Sequence, residues 1–490
     1  GVFSQTMSVA MVGAEPRAVR IEVHVGAASE KFNLVGLPDT SIREAKQRVK
    51  AAITSSGHNF PHRTITVNLA PADLPKAGAD YDLPIALGVL AAAKTIPHFS
   101  RVVVAGELAL DGAVRRSRWA IGAGLLAAKR GWPCLVARND APSAARVPGA
   151  EVFGIASLAE AVAFATKRPE PTLPIVHDDP YDDGIDLAEV RGQTFARRAL
   201  EVAAAGGHHM LMVGSPGCGK TMLAKRFPAL LPLLTDQEAV EVACLWAAAD
   251  RHRRFTNQPP YRSPHHSASM AAVLGGGSLH PTPGEISLAH HGVLFLDELG
   301  EFPPHLLNAL RQPLEEGKVT IARRGSSLTF PARSQVIAAS NPCPCGFSGD
   351  RLVSCRCSAA EIARYRKRLA EPFLDRFDLR IAMSAPDPDL LLGPPGEDSA
   401  MIRARVGLAR ERQLLRADGT NAQLGRQALD RLVYEDAAVG LIGVALRKGF
   451  LTGRGADRVR RVARTIADLA ASEQVEEAHV AEAIAYRSSF

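Results

Sequence analysis

Rings are scarce in this chain: aromatic residues make up 5% of its 490 positions, and three are Trp. A nucleic-acid binder of this composition would lean on charge against the phosphate backbone more than on base stacking. No apolar run approaches the ~18 residues that a membrane span needs. The N-terminus lacks a basic stretch followed by an apolar core and a small-residue cleavage site, so no export signal is expected. Cysteines number seven, an odd count, and four of them fall between 343 and 357. That argues against a secreted disulfide framework and points to a cytoplasmic protein with one local cysteine site. Charge of either sign is nearly balanced: Lys+Arg 58 against Asp+Glu 51 leaves +7, a weak hint of a polyanionic partner. What is present is apolar bulk. Hydrophobic residues make up 46% of the chain, which excludes disorder and fibrous repeats as descriptions of the whole. At roughly 100–200 residues per domain, the length allows two to four domains.

Residues 1–167 alternate strand and helix patterns. Val19, Ile21, Val23 and Val25 recur at period two, as do Ile65, Val67 and Leu69, and Val102–Val104 is a short apolar run; all read as strands. Between the first two, Ser41-Ile42-Arg43-Glu44 has capping-box spacing. Val49, Ala52, Ile53 and Ser56 continue a helical stripe that Gly57 closes. A second helix is expected over 83–93. From 168 to 190 the composition changes. Pro169, Pro171, Pro174 and Pro180 alternate with Asp178, Asp179, Asp182 and Asp183, and no Lys or Arg stands between Arg168 and Arg191. Proline and like charges extend a chain, so this stretch marks a domain boundary. A second α/β unit is expected over 191–385. A Pro/Gly-rich break at 386–397 then opens a helical region, 386–490, with stripes at 428–446 and 459–469.

The strongest motif is Gly214-Ser215-Pro216-Gly217-Cys218-Gly219-Lys220-Thr221, which follows an apolar strand and precedes a helical stretch. Its glycines let backbone N–H groups turn inward around phosphate oxygens at the positive end of the following helix. Lys220 offers a charge to the β- and γ-phosphates and Thr221 a hydroxyl to Mg²⁺, while Cys218 is expected to point away from phosphate. The second half is Val293-Leu294-Phe295-Leu296-Asp297-Glu298, an apolar strand ending in two acids. Asp297 is expected to bind the metal and Glu298 to polarise the attacking water. The two motifs together specify a nucleotide-hydrolysing core.

Three further features carry open alternatives. Asn341, after the strand expected over 335–339, either orients water beside the γ-phosphate or simply ends a strand in a turn. Arg376, within Leu374-Asp375-Arg376-Phe377-Asp378, is either an arginine finger for a neighbouring subunit's nucleotide or a surface ion-pair residue. Cys343, Cys345, Cys355 and Cys357 form C-x-C-x9-C-x-C, either four thiolates for a tetrahedral Zn²⁺ or a reduced, unligated cluster. The pairs His265-His266 and His290-His291 invite a metal reading too. Neighbouring residues on a helix or strand face different ways, however, which favours structural or nucleotide-coupling roles.

The runs Arg262-Ser263-Pro264-His265-His266-Ser267-Ala268-Ser269, Gly275-Gly276-Gly277-Ser278, Pro283-Gly284-Glu285-Ile286-Ser287-Leu288-Ala289-His290, Asn341-Pro342-Cys343-Pro344-Cys345-Gly346 and Ala463-Arg464-Thr465-Ile466-Ala467-Asp468-Leu469 complete the pattern. Together they resemble the magnesium-chelatase-like AAA+ proteins of the YifB/ComM type over essentially the whole chain. The resemblance implies a Lon-protease-like N-terminal α/β domain, an AAA+ P-loop core and a helical C-terminal lid. It also implies ATP and Mg²⁺ as cofactors and a hexameric ring. The activity implied is that of a DNA helicase that migrates branches as incoming single strands are integrated during natural transformation. Single-stranded and branched DNA, and recombination proteins, are the partners it implies. By position, Asn341 resembles sensor 1, Arg376 the arginine finger and Arg454 the sensor 2 arginine. Gly455 stands where relatives carry Ala, and Arg458 is the fallback for Arg454.

For DNA, two insertions are preferred: 275–285, and the hairpin-like stretch 318–330 with Lys318, Arg323 and Arg324 before a turn at Gly325-Ser326. Basic loops of this kind grip phosphates without reading sequence, although a solvent-exposed hairpin tip looks the same. Residues 447–464 carry seven basic residues against Asp457, which reads either as a solvated helix face or as nucleotide and subunit contacts. Two other functions share the core motifs. One is a magnesium chelatase motor, which is not expected to carry the Lon-like domain. The other is an ATP-dependent Lon-like protease or chaperone. Where a Lon-like protease has its serine this chain has Asp80, and the lysine position falls near Ile121. Neither residue can serve as that nucleophile or base, so no peptide hydrolysis is expected.

Overall fold

The computed structural model describes residues 2–175, 185–277, 280–323, 325–369 and 371–487. Ser278, Arg324 and the acids Asp178, Asp179, Asp182 and Asp183 lie outside the described residues, as does the side chain of Arg323. The chain divides into two compact units. One comprises Gly1–Asp178 with Thr235–Asn257, the other Asp179–Leu234 with Gln258–Phe490.

The first unit is built on a seven-stranded mixed sheet in the order Phe32–Val35, Ile65–Ala70, Glu15–Val25, Phe3–Val12, Val103–Val104, Pro133–Ala137, Glu151–Ile155. The period-two stripe behaves as expected: Val19, Ile21, Val23 and Val25 all point into the core. After Asp82, which pairs with Arg48 at 2.6 Å, the helix Asp82–Ala92 is apolar all round and wholly buried, which suits a helix covered on every side. It packs on Phe3–Val12 and Glu15–Val25, and Thr6 Oγ1 donates to the Pro84 carbonyl at 2.9 Å. One expectation is corrected. Asp39, not Ser41, caps the preceding helical turn: its carboxylate accepts from the Ile42 N–H at 2.9 Å. An ionised acceptor ahead of the first turn outcompetes a hydroxyl within it. Residues 168–175 form no regular element, yet the Thr172 N–H donates to the Val152 carbonyl at 2.7 Å.

Thr235–Asn257 leaves the second unit's chain order and packs with the first. Its helix, Asp236–Ala248, begins with a full capping box between Thr235 and Glu238 and packs against Ala120–Arg130. Arg146 of the first unit pairs with Asp236 at 2.6 Å and lies 5.3 Å from the Phe255 ring centroid.

The second unit holds a five-stranded, all-parallel sheet in the order Tyr261–Arg262, Val293–Leu296, Gln335–Ser340, Met210–Gly214, Leu379–Met383. Its strands read as continuous apolar runs because helices cover both faces. The C-terminal helices are Ser399–Arg416, Arg426–Asp430, Asp436–Arg447, Gly453–Leu469 and Glu477–Ala485. The expected stripe 428–446 is broken: Tyr434 leaves the helix to form a bridge with Val475. Among the described residues, no helix is long and apolar enough to cross a membrane.

Candidate functional site

The carboxyl ends of the parallel strands bring the expected residues together, the place where an open α/β sheet offers a crevice. Met210–Gly214 is buried along its length, and the loop after it delivers Lys220 to the start of the helix Lys220–Arg226. Gly217 and Gly219 hold φ of +81° and +101°, a conformation that side-chain-bearing residues rarely adopt. The Lys220 ammonium donates to the carbonyls of Gly214 at 2.6 Å and Ser215 at 3.0 Å, and lies 3.5 Å from Asn341 Oδ1. Thr221 Oγ1 donates to Asp297 Oδ2 at 3.0 Å, so the two residues expected to share Mg²⁺ already touch. The other Asp297 oxygen accepts from the Glu298 N–H at 2.8 Å.

Glu298 sits at φ +51°, which is unusual for a residue with a side chain. Its carboxylate is exposed and lies 3.4 Å from His266 Nδ1. The histidine pairs do not diverge as expected of a helix or strand. Their ring centroids lie 4.1 Å apart for His265-His266 and 3.8 Å for His290-His291, because both pairs fall outside regular elements. Cys218 is buried in the core behind the loop.

Arg376 is ion-paired with Glu315. Arg454 is 88% exposed, and its guanidinium is 4.0 Å from Asp375, the residue before Arg376. Arg454 lines a cleft of about 590 Å³ with Asp375, Arg426 and Arg487; Arg376 follows Asp375 in the chain but is not part of that lining. The fallback Arg458 lines the same cleft and pairs with Asp378 at 2.9 Å.

The four cysteines of the 343–357 loop are free thiols whose sulfurs lie within 4.8 Å of one another. That donor set fits a tetrahedral thiophilic ion such as Zn²⁺. Lys318–Arg323 and Ser326–Pro331 form an antiparallel hairpin in register, with Val319 and Phe330 buried at its root and Ser326 and Ser327 exposed near its tip. The other insertion forms a short ribbon, Gly275–Gly276 with Thr282–Pro283. It lies beside the hairpin: a Cβ on Gly275 would come within 3.2 Å of Ile321 Cδ1.

Family models described as magnesium chelatase subunit ChlI, subunit ChlI of Mg-chelatase, and the ChlI C-terminal region match residues 186–391, 21–139 and 396–487. YifB of Escherichia coli is 42% identical over 494 residues, covering 98% of this chain and 96% of the relative. The chain belongs to the YifB/ComM family. Competence protein ComM of Haemophilus influenzae is likewise 42% identical over 495 residues, with 98% and 96% coverage. Over a shorter stretch, 141 residues, the chain is 31% identical to Lon protease 2 of Bacillus subtilis, covering 27% of this chain and 25% of that protein. The YifB/ComM chain thus carries a magnesium-chelatase-like AAA+ domain and a weak Lon likeness. Its motif runs have a structural logic that spacing alone did not reveal. Arg262 of the first run forms a two-pronged ion pair with Glu285 of the third, one prong at 2.8 Å. In the first unit, burial pushes the Asp80 carboxyl above its usual range, while a Ser117 hydrogen bond and Arg118 pull it back. The buried Lys76 ammonium is engaged by the carbonyls of Gly36, Leu69 and Pro71.

Proposed function

We propose that this protein is an ATP-dependent DNA translocase of hexameric form that drives branch migration on incoming DNA. The observation that carries the ATPase part is the Thr221–Asp297 hydrogen bond beside Lys220, which sets metal-binding and phosphate-binding groups together at the carboxyl edge of the sheet. In this reading ATP and Mg²⁺ bind there, Glu298 polarises water and Asn341 positions it. Arg376 and Arg454 serve a neighbouring subunit's nucleotide. The DNA part is supported by the competence name of a near-full-length relative and by the adjacent hairpin and ribbon, whose Lys318, Arg323 and Arg324 would meet phosphates. The residues 1–167 then form a non-proteolytic platform, and 386–490 a lid over the core of 191–385.

The chelatase-motor alternative is not set aside by the N-terminal domain, contrary to the expectation from sequence, since a ChlI model matches 21–139 as well. It is outweighed by identity of 42% along the whole chain to ComM. The deciding experiment is ATP-driven unwinding of three- and four-stranded DNA junctions. Wild type is expected to unwind them and Lys220→Ala to fail; equal behaviour of the two would overturn the translocase reading.

A further inference from the structure

The cysteine loop is not a remote appendage; it rests on the phosphate loop. Cys343 comes two positions after Asn341, on the tip of the strand Gln335–Ser340 that lies beside the phosphate-loop strand. Gly346, at φ +87°, brings loop backbone so near Pro216 that a Cβ there would stand 2.9 Å from Pro216 Cδ. Asp350 lies near enough to the Ser215 hydroxyl for that group to hold its carboxyl below the usual range. The same carboxylate accepts from the Leu352 and Val353 N–H groups at 2.8 Å each. Pro216 is thus touched, and Ser215 approached, by this loop.

Nothing apolar explains the loop's shape. Residues 343–357 contain no helix or strand, and Leu352 and Val353 are exposed rather than packed. What organises the loop is sulfur. The Sγ atoms of Cys343, Cys345 and Cys355 are mutually 3.4, 3.6 and 3.7 Å apart. A tetrahedron of thiolates at a Zn–S distance of about 2.3 Å has edges of about 3.8 Å, so the spacing suits that ion. Backbone N–H groups of Ser348, Cys345 and Cys357 point at Cys343, Cys357 and Cys355 sulfurs at 3.3, 3.4 and 3.4 Å. Such amide donors orient the ligands.

We propose that these four cysteines bind Zn²⁺ and that the ion braces the 343–357 loop against Ser215 and Pro216, so that zinc occupancy sets how tightly the phosphate loop holds nucleotide. The proposal rests on reading 214–221 as the nucleotide site. Gly346 and Asp350 are positioning residues: they act on the loop that touches phosphate, not on phosphate itself.

The test uses the purified full chain, with zinc content by elemental analysis and affinity for a fluorescent ATP analogue in Mg²⁺. Wild type should hold about one Zn²⁺ per chain. Stripping zinc with a chelator should weaken analogue binding roughly tenfold, and adding Zn²⁺ back should restore it, because both contacts to the phosphate loop depend on the brace. Asp350→Ala should keep its zinc yet bind the analogue about fivefold more weakly, the size of one hydrogen bond. Lys220→Ala is the control for the site itself. Wild type that binds no better than Lys220→Ala would refute the nucleotide reading on which the proposal stands. Protein purified without zinc would refute the ion. Unchanged affinity in stripped protein and in Asp350→Ala would refute the brace while leaving the nucleotide site intact.

Discussion

Arg458 donates to Asp378 at 2.9 Å, and this pair joins the helix Gly453–Leu469 to the segment that carries Arg376. The second oxygen of Asp378 faces His208 Nδ1 at 2.8 Å, and His208 Nε2 is 2.7 Å from Thr465 Oγ1. Burial alone would raise the Asp378 pKa, but the hydrogen bond and charge of His208 and the nearby Arg458 and Arg461 bring it down to about 2. The carboxylate therefore stays charged in the fold, clamped between a helix of the C-terminal region and a histidine just ahead of the phosphate-loop strand.

Removing that charge should destabilise the second unit. Asp378→Asn leaves Arg458 largely buried without its counterion, and such a change costs about 3 kcal/mol. Thermal unfolding should show a clearly lowered midpoint. Arg454→Ala, at an exposed position of the same helix, should leave the midpoint where it was.

A second expectation concerns pH. Burial pushes the His209 pKa down to about 4 from its ordinary 6.5. Its neutral ring accepts from the Val336 N–H at 2.9 Å. Because the unfolded chain takes up this proton first, the contribution is whole above pH 6.5 and is lost as pH falls toward 4. The full shift corresponds to about 3 kcal/mol, and the ring's partial exposure reduces the figure to ~2 kcal/mol. Unfolding midpoints measured between about pH 7.5 and about pH 4.5 should decline across this window. His209→Gln, which retains an acceptor, should flatten the decline.

Glu298→Gln separates binding from chemistry. The amide keeps the size and the backbone of the position but cannot take up a proton. ATP should bind within about threefold of wild type while steady-state hydrolysis falls about 100-fold or more. Unchanged hydrolysis would take Glu298 out of its assigned role.

If Arg376 reaches a neighbour's nucleotide, two inactive variants should complement each other. Arg376→Ala and Lys220→Ala should each slow hydrolysis about 1,000-fold. Mixed rings then contain interfaces where an intact Arg376 meets an intact Lys220. Recovery of activity on mixing supports action between subunits, and its absence argues that Arg376 serves its own chain or only Glu315.

Charge at the hairpin can be read from salt. Replacing Lys318, Arg323 and Arg324 with Ala should weaken single-strand binding. It should also make the slope of log affinity against log salt shallower by about 2, at ~0.7 for each phosphate no longer neutralised. A slope that does not change would place these side chains away from DNA.

What was legible in the sequence was local. The phosphate loop and the acidic strand are contiguous runs, and backbone geometry follows from their glycines and apolar strands, so Thr221 touches Asp297 and Lys220 stands by Asn341. The basic run at 447–464 was not legible, because charge on a helix does not reveal its partners. Arg458, Arg460, Arg461 and Arg464 are bonded to Asp378, Asp430, the Leu424 carbonyl and Asp468 respectively. Arg447, Lys448 and Arg454 are the members of that run that stay exposed. His266 near Glu298 and the seating of the cysteine loop on Ser215 and Pro216 are likewise tertiary. They join positions far apart in sequence, and no spacing rule reaches that far.

The placement of Thr235–Asn257 has a practical consequence. The backbone passes from one compact unit to the other at 178, at 234 and again at 257, so cutting once between them does not separate them. A fragment begun after residue 178 would retain Asp236, Phe255 and the apolar face of Asp236–Ala248 but lose Arg146 and the helix Ala120–Arg130 that cover them. Such a fragment would be prone to aggregate for reasons unrelated to its ATPase core. Limited proteolysis just after residue 178 should accordingly leave two pieces that still travel together on a sizing column.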